Sequence, residues 1–222
     1  MTAEKPWSEA CERNREPILA VLREVFAAAS DVLEIGSGTG QHAVHFARHL
    51  PHLVWHTSDR PEHHAGIQAW IDEALAMHAL ANVRAPVALD VRDTPWPVAA
   101  AGGVDGVFSA NTLHIMDWAS VQALFRGVAC VLSAGSVLAI YGPFNYGGQF
   151  TSESNAQFDR ALRARGVGSG LRDFEAVNAL ALGIGLELMR DVAMPANNRT
   201  LVWRRLSRGE NSREARASDP ES

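Results

Sequence analysis

The stretch VLEIGSGTGQHA, Val32 to Ala43, runs from a short apolar segment through three glycines on a two-residue spacing into residues with helical periodicity. A chain that passes from a buried strand through so tight a turn into a helix has few architectures open to it. In a doubly wound α/β sheet this first turn lies at the carboxyl ends of the strands, where the backbone comes closest to a ligand.

The rest of the sequence repeats the pattern. Apolar runs of strand length recur at Val32–Ile35, Leu53–Thr57, Pro86–Leu89, Val104–Ser109 and Val137–Tyr141, and helical stripes separate them. One such stripe is Ala43, Phe46, Ala47 and Leu50; another is Ile67, Trp70, Ile71 and Leu75; a third is Val121, Leu124, Phe125, Val128 and Leu132. Near the end, LELMRDVAMP and TLVWRRL flank the turn-like ANNR and read as a hairpin. The expected fold is therefore α/β: a Rossmann-like, doubly wound, seven-stranded and mostly parallel sheet closed by a C-terminal antiparallel hairpin.

A first helix is expected to begin near Asn14, as its N-cap, with Pro17 in the first turn and Ile18, Leu19, Leu22, Val25 and Phe26 as its buried stripe. Residues 1–206 read as one domain with an N-terminal lid or helix and a pocket-shaping insertion at about 145–185. Residues 207–222 mix both charge signs with Ser, Gly and Pro and read as a disordered tail.

Twenty Lys and Arg against 25 Asp and Glu, with no basic stripe, argue against a nucleic-acid partner. No stretch approaches the roughly 20 apolar residues of a membrane span, and the N-terminus is charged where a signal peptide needs an apolar run. Cys11 and Cys130 are too few for a disulfide framework and are not spaced as a zinc pair; Cys130, within GVACVL, reads as a core residue. A cytoplasmic chain without membrane attachment is expected.

The turn's ligand follows from what the turn lacks. A dinucleotide fingerprint, G-x-G-x-x-G, would place glycine where Gln41 stands, and the Walker pattern would end in Gly-Lys-Ser/Thr, but the turn has no lysine. Acids then stand where a pyrophosphate would be repelled and a cation attracted: Glu34 in the first strand, Asp59 at the end of the second, Asp90 at the end of the third. Asp59 lies where a carboxylate accepts both hydroxyls of a ribose.

The E-x-G-x-G-x-G turn, the acids after strands two and three, and the terminal hairpin together resemble the class I S-adenosylmethionine-dependent methyltransferases over about residues 20–206. The resemblance implies methyl transfer from S-adenosylmethionine to an acceptor, more in keeping with a small molecule than a macromolecule. It assigns the methionine portion to Glu34, Gly36 and Gly38, the ribose to Asp59, the adenine region to Asp90 and Val91, and further cofactor contacts to Ser37, Gly40, Arg60 and Asn111. ACERNREPIL, SDR, NTLHI and ESNAQFDRALRARG are similar to an uncharacterised bacterial and animal methyltransferase-like subgroup. That comparison sets Arg13 and Asn14 over the cofactor pocket, with Arg13 able to pair with the methionine carboxylate.

His114, shortly after the fourth strand, is the candidate general base, and Tyr146 a candidate for orienting substrate or closing over the methyl group. Tyr141 has the same two readings as Tyr146 and, as an alternative, that of a sheet-end aromatic. Asn145, Glu153, Asn155 and Asp159 lie in the insertion as possible substrate contacts, although SESN is also an ordinary helix N-cap. His42, His45 and His49 form a one-sided helical set without the acid of H-E-x-x-H, so they read as a solvated face; no metal site is expected. The competing functions are a nucleotide-dependent oxidoreductase and a non-catalytic S-adenosylmethionine-binding protein.

Overall fold

The computed structural model describes residues 5–97, 103–166 and 168–206; the reading of 207–222 as a disordered tail falls outside them. Helix α1 (Glu9–Val25) leads into β1 (Asp31–Ile35), α2 (Gln41–His49), β2 (Val54–Asp59), α3 (His64–His78) and β3 (Val83–Ala88). The second half runs β4 (Val104–Ala110), α4 (Trp118–Val131), β5 (Leu132–Gly142), β6 (Phe144–Asn145), α5 (Glu153–Arg165), β7 (Arg172–Asp173), α6 (Phe174–Gly183), β8 (Leu186–Met194) and β9 (Asn198–Arg205).

The main sheet has seven strands in the order β3-β2-β1-β4-β5-β9-β8. Strands β1 to β5 pair in parallel, and β9 runs antiparallel to both β5 and β8, so the expected architecture and terminal hairpin are both present. Pro86 lies in β3, an edge strand, where a missing N–H leaves no inner ladder broken. The chain winds outward from β1 to β3 and resumes on β1's other side at β4, which puts the switch point between β1 and β4.

Alternating strand residues feed two cores. Val32, Trp55, Phe108 and Val202 pack with Ile18 and Leu22 of α1, Phe46 of α2 and Ile67 of α3. Leu33, Val107, Ile140 and Trp203 pack on the other face with Leu124, Phe125 and Val128 of α4 and Val177 of α6. The rings of Phe46 and Phe108 meet edge to face at 5.5 Å.

Four local expectations are corrected. Helix α1 starts five residues before Asn14, because Ser8 caps it by accepting from the Cys11 N–H at 3.4 Å; Asn14 is interior and buried, and Pro17 sits mid-helix. Cys130 is exposed rather than in the core, since the buried stripe of α4 runs through 121, 124, 125, 128 and 131 and turns its neighbour outward. His42 is buried against Phe46, not solvated, because α2 is covered by α1 on the side that the apolar pattern leaves polar. The insertion also contains a two-stranded parallel sheet, β6 with β7, too short to leave an alternation pattern.

Candidate functional site

The turn after β1 is built by its neighbour strand. The N–H groups of Gly36 and Ser37 both donate to the Ser58 carbonyl at 3.0 Å, the Ser58 hydroxyl donates to the Glu34 carbonyl at 2.6 Å, and the Ser58 N–H donates to Ser37 Oγ at 3.2 Å. Gly36 adopts φ +73°, and a Cβ there would lie 2.5 Å from Thr112 Cγ2, so the β1 and β4 turns close on each other only with glycine at this position. Gly38 donates to Asp59 Oδ2 at 2.8 Å, and a Cβ there would meet nothing nearer than 4.0 Å: its outer face is open.

That open face belongs to a cavity of about 530 Å³ at the switch point, within the range of small-molecule sites. Gly36, Gly38, Asp59, Arg60, Asp90, Val91 and Asn111 all line it, so seven of the residues expected at a cofactor come together here. Arg60 pairs with Glu62 at 3.0 Å. Asp90 is held by Arg92 through both carboxylate oxygens, at 3.0 and 2.6 Å, and this pairing pulls its pKa down to about 2. Asn111 sits at φ +58° with its N–H donated to the Tyr141 carbonyl at 2.9 Å.

Other expected residues stand apart from this cavity. Glu34 is buried beneath the turn, accepts from the Trp55 indole at 3.1 Å and does not line it; burial pushes its pKa up to about 7. The acids that line the ligand space are Asp59, Asp90 and Asp117, and the charge argument drawn from Glu34 rests on them instead. Ser37 is turned inward to the Ser58 N–H. Gly40 caps α2 at φ +90° against Ile67 and has a packing role.

A second cavity of about 650 Å³ adjoins the first at Asn111 and is lined by Arg13, Asn14, Tyr141, Asn155, Phe158 and Asn198 among others. Arg13 pairs with Glu9 at 2.9 Å and remains exposed. Asn14 Oδ1 lies 2.7 Å from His42 Nε2, and Asn14 and Tyr141 line the cavity together. Burial raises the Tyr141 pKa and lowers that of His42 to about 4. Among the insertion candidates, Asn155 reaches this cavity; Asp159 is buried, accepting from Leu171 N–H at 2.8 Å and Arg163 Nε at 2.6 Å. Ser152 caps α5 by accepting from the Asn155 N–H, the ordinary role of SESN.

The structure does not bring His114 and Tyr146 together. His114 is buried behind Phe158, ring to ring at 5.3 Å, and is not among the residues lining either cavity; burial and the Arg172 charge lower its pKa to about 4. Tyr146 lines a third cavity of about 420 Å³, donates to Asp191 Oδ2 at 2.8 Å and stacks on Phe174; burial raises its pKa. Among the described residues no cluster of three His, Cys, Asp or Glu is placed to hold a metal, and no helix is long and apolar enough to cross a membrane.

Sequence reasoning missed Thr112, Ile115 and Met116 on the first cavity's wall, and Arg172, whose guanidinium donates to the Leu113 and Met116 carbonyls and so fixes the loop after β4. No local signal marks Arg172, which acts across 56 residues of sequence. Ile115 is a large apolar residue that the fold leaves exposed after β4.

A family model described as "Protein of unknown function (DUF938)" matches residues 5–205. Solved structures similar to this chain include an O-methyltransferase family protein from Burkholderia thailandensis, 20% identical with TM-score 0.73 over 90% of this chain and 58% of that one. The mitomycin 7-O-methyltransferase MmcR is 21% identical with TM-score 0.72 over 88% and 54%. The O-methyltransferase NcsB1 of neocarzinostatin biosynthesis, solved with S-adenosylmethionine and 2-hydroxy-5-methyl naphthoic acid, is 18% identical with TM-score 0.71 over 89% and 55%. The chain thus shares its fold with these O-methyltransferases, and it spans between half and three-fifths of their length.

Proposed function

The chain belongs to this family of unknown function, and we propose from its own site that it transfers a methyl group from S-adenosylmethionine to a small-molecule acceptor. The observation that carries the reading is Asn111 as a shared wall: the glycine turn, Asp59 and Asp90 line one cavity, and a second, larger one begins at the same residue. Two ligands that must meet at one atom need such a junction. The solved neighbours whose names specify small-molecule O-methylation support the same class of reaction.

The residues present fit the cofactor. Gly38's open face admits a ligand against the backbone, and Asp59, which accepts one N–H on each carboxylate oxygen from Gly38 and Arg60, keeps lone pairs for two ribose hydroxyls. Asp90 and Val91 border the base end. When bound, the cofactor supplies an electrophilic methyl group on a sulfonium. The chain's part is to orient both ligands and exclude water, and α1 contributes by lying across the second cavity with Arg13 and Asn14. Neither His114 nor Tyr146 has a role as base in this reading. The cytoplasm is the proposed compartment, supported by the two free cysteines, Cys11 and Cys130.

Isothermal calorimetry tests the cofactor directly. S-adenosylhomocysteine is expected to bind in the micromolar range and NAD(H) and NADP(H) not at all. Binding of a nicotinamide dinucleotide instead would establish the oxidoreductase reading, and cofactor binding without transfer across a broad acceptor panel would favour a non-catalytic binding protein.

A further inference from the structure

Four successive carbonyls of the loop after β4 are each held by one short segment of the insertion. Arg172 donates through Nε to the Leu113 carbonyl at 3.1 Å and through Nη2 to that of Met116. Between them, the Gly170 N–H donates to the His114 carbonyl at 2.9 Å and the Ser169 hydroxyl to that of Ile115 at 3.1 Å. Arg172 Nη2 also donates to the Gly168 carbonyl at 2.7 Å, which folds the segment back onto its own anchor. Gly168 adopts φ +85°, and a Cβ there would lie 2.7 Å from Asp117 Cβ, so the segment presses on the residue that caps α4 as well.

The two sides of this clasp belong to different cavities. Thr112, Ile115, Met116 and Asp117 line the cofactor cavity. On the other side, Leu171 donates its N–H to Asp159 Oδ1 at 2.8 Å, and Asp159 lies on α5, the helix whose Asn155 and Phe158 line the second cavity. Phe158 also sets its ring 5.3 Å from that of His114, within the clasped loop. Arg172 itself is not among the residues lining either cavity. Its planar guanidinium holds three carbonyls in one fixed fork, so a shift of residues 113–116 either breaks these bonds or carries the segment and α5 with it.

We propose that Arg172 is a positioning residue for methyl transfer: through its clasp, a cofactor in the first cavity orders the α5 wall of the second, and the acceptor enters a site that the cofactor has already shaped. The proposal rests on the methyl-transfer reading of the first cavity. Arg172 acts by holding the loop and the insertion in register, touching neither ligand. The coupling is reciprocal, so an acceptor bound in the second cavity tightens cofactor binding by the factor with which the cofactor tightens its own.

Hydrogen exchange read amide by amide by NMR, on the full chain with and without saturating S-adenosylhomocysteine, tests this. The Gly170 and Leu171 amides lie outside the cofactor cavity, bound to the His114 carbonyl and to Asp159. Their exchange is expected to slow by about tenfold on binding, a usual size for coupling between sites. In Arg172→Lys, whose ammonium cannot reproduce the fork, this slowing is expected to fall below about twofold while the Gly38 amide in the glycine turn stays protected by the ligand. An arginine with a merely structural role would, on replacement, speed exchange equally in free and loaded protein and leave the ratio between them unchanged. Ser169→Ala removes one exposed hydrogen bond of the same clasp, is expected to give an intermediate ratio, and decides the matter if the lysine variant does not fold. Unchanged exchange at Gly170 and Leu171 when the wild type binds S-adenosylhomocysteine, or an undiminished ratio in the folded variants, overturns the proposal. Failure of the wild type to bind S-adenosylhomocysteine would instead remove the methyl-transfer reading itself.

Discussion

Gly38 donates its backbone N–H to Oδ2 of Asp59 at 2.8 Å, tying the glycine turn after β1 to the carboxylate that ends β2. A single side chain thus shapes the turn and offers its remaining lone pairs to a ligand. Asp59→Ala is expected to weaken S-adenosylhomocysteine binding by about 1.5–3 kcal/mol, the range for losing hydrogen bonds to a charged group. Calorimetry below the melting temperature checks it, and an unchanged dissociation constant would show that Asp59 does not hold the ribose.

Gly40 differs from the other two glycines of the turn. Its φ of +90° is unfavourable for any other residue, and a Cβ would lie 3.0 Å from Ile67 Cα and 3.3 Å from Trp70 Cβ, where α2 and α3 meet. Gly40→Ala is expected to cost about 2 kcal/mol of stability and to leave cofactor affinity unchanged in protein that is still folded. Thermal unfolding alongside calorimetry separates the two effects; a loss of affinity without a loss of stability would move Gly40 into the ligand site.

Much of this was legible in the sequence. Apolar runs separated by helical stripes located the five parallel strands of the main sheet and the helices between them, because a sheet covered on both faces needs long apolar runs and amphipathic crossovers. The positions of Gly36, Gly38, Asp59 and Asp90 followed from the same topology, since strand ends in a doubly wound sheet converge at the switch point. What escaped was set by packing between distant elements. The start of α1 depended on two competing caps, Ser8 and Asn14, and the buried state of His42 depended on α1 lying over α2. Glu34 was placed correctly in β1, but which way its carboxyl turned was decided by Trp55 on the neighbouring strand.

Asn111 occupies the left-handed region at φ +58°, which asparagine tolerates and a β-branched residue does not. Asn111→Val is expected to lower stability by about 1–2 kcal/mol, whereas Asn111→Gly keeps the backbone conformation and removes only the side chain between the cavities. The glycine variant should therefore melt close to the wild type while binding S-adenosylhomocysteine less tightly. Equal affinity in that variant would mean that the side chain contributes nothing at the junction.

Glu34 sets a pH dependence of definite sign. Its pKa is raised from 4.5 to about 7 in the folded chain, so the folded state holds a proton that the unfolded state has released between those values. Stability falls with rising pH across this window, by on the order of 3 kcal/mol from this group, and levels off above it. His42, His45 and His114, each lowered from 6.5 to about 4 mainly by burial, act in the opposite sense: their contribution is full above pH 6.5 and is lost as pH falls through 4. The total profile mixes the two, but Glu34→Gln isolates one, because a glutamine oxygen still accepts from the Trp55 indole and the histidines are common to both proteins. The variant's melting temperature should match the wild type near pH 4.5 and exceed it by roughly 5–10 °C at pH 8. A difference that stays constant from pH 4.5 to 8 would show that Glu34 ionises normally and that its burial carries no cost.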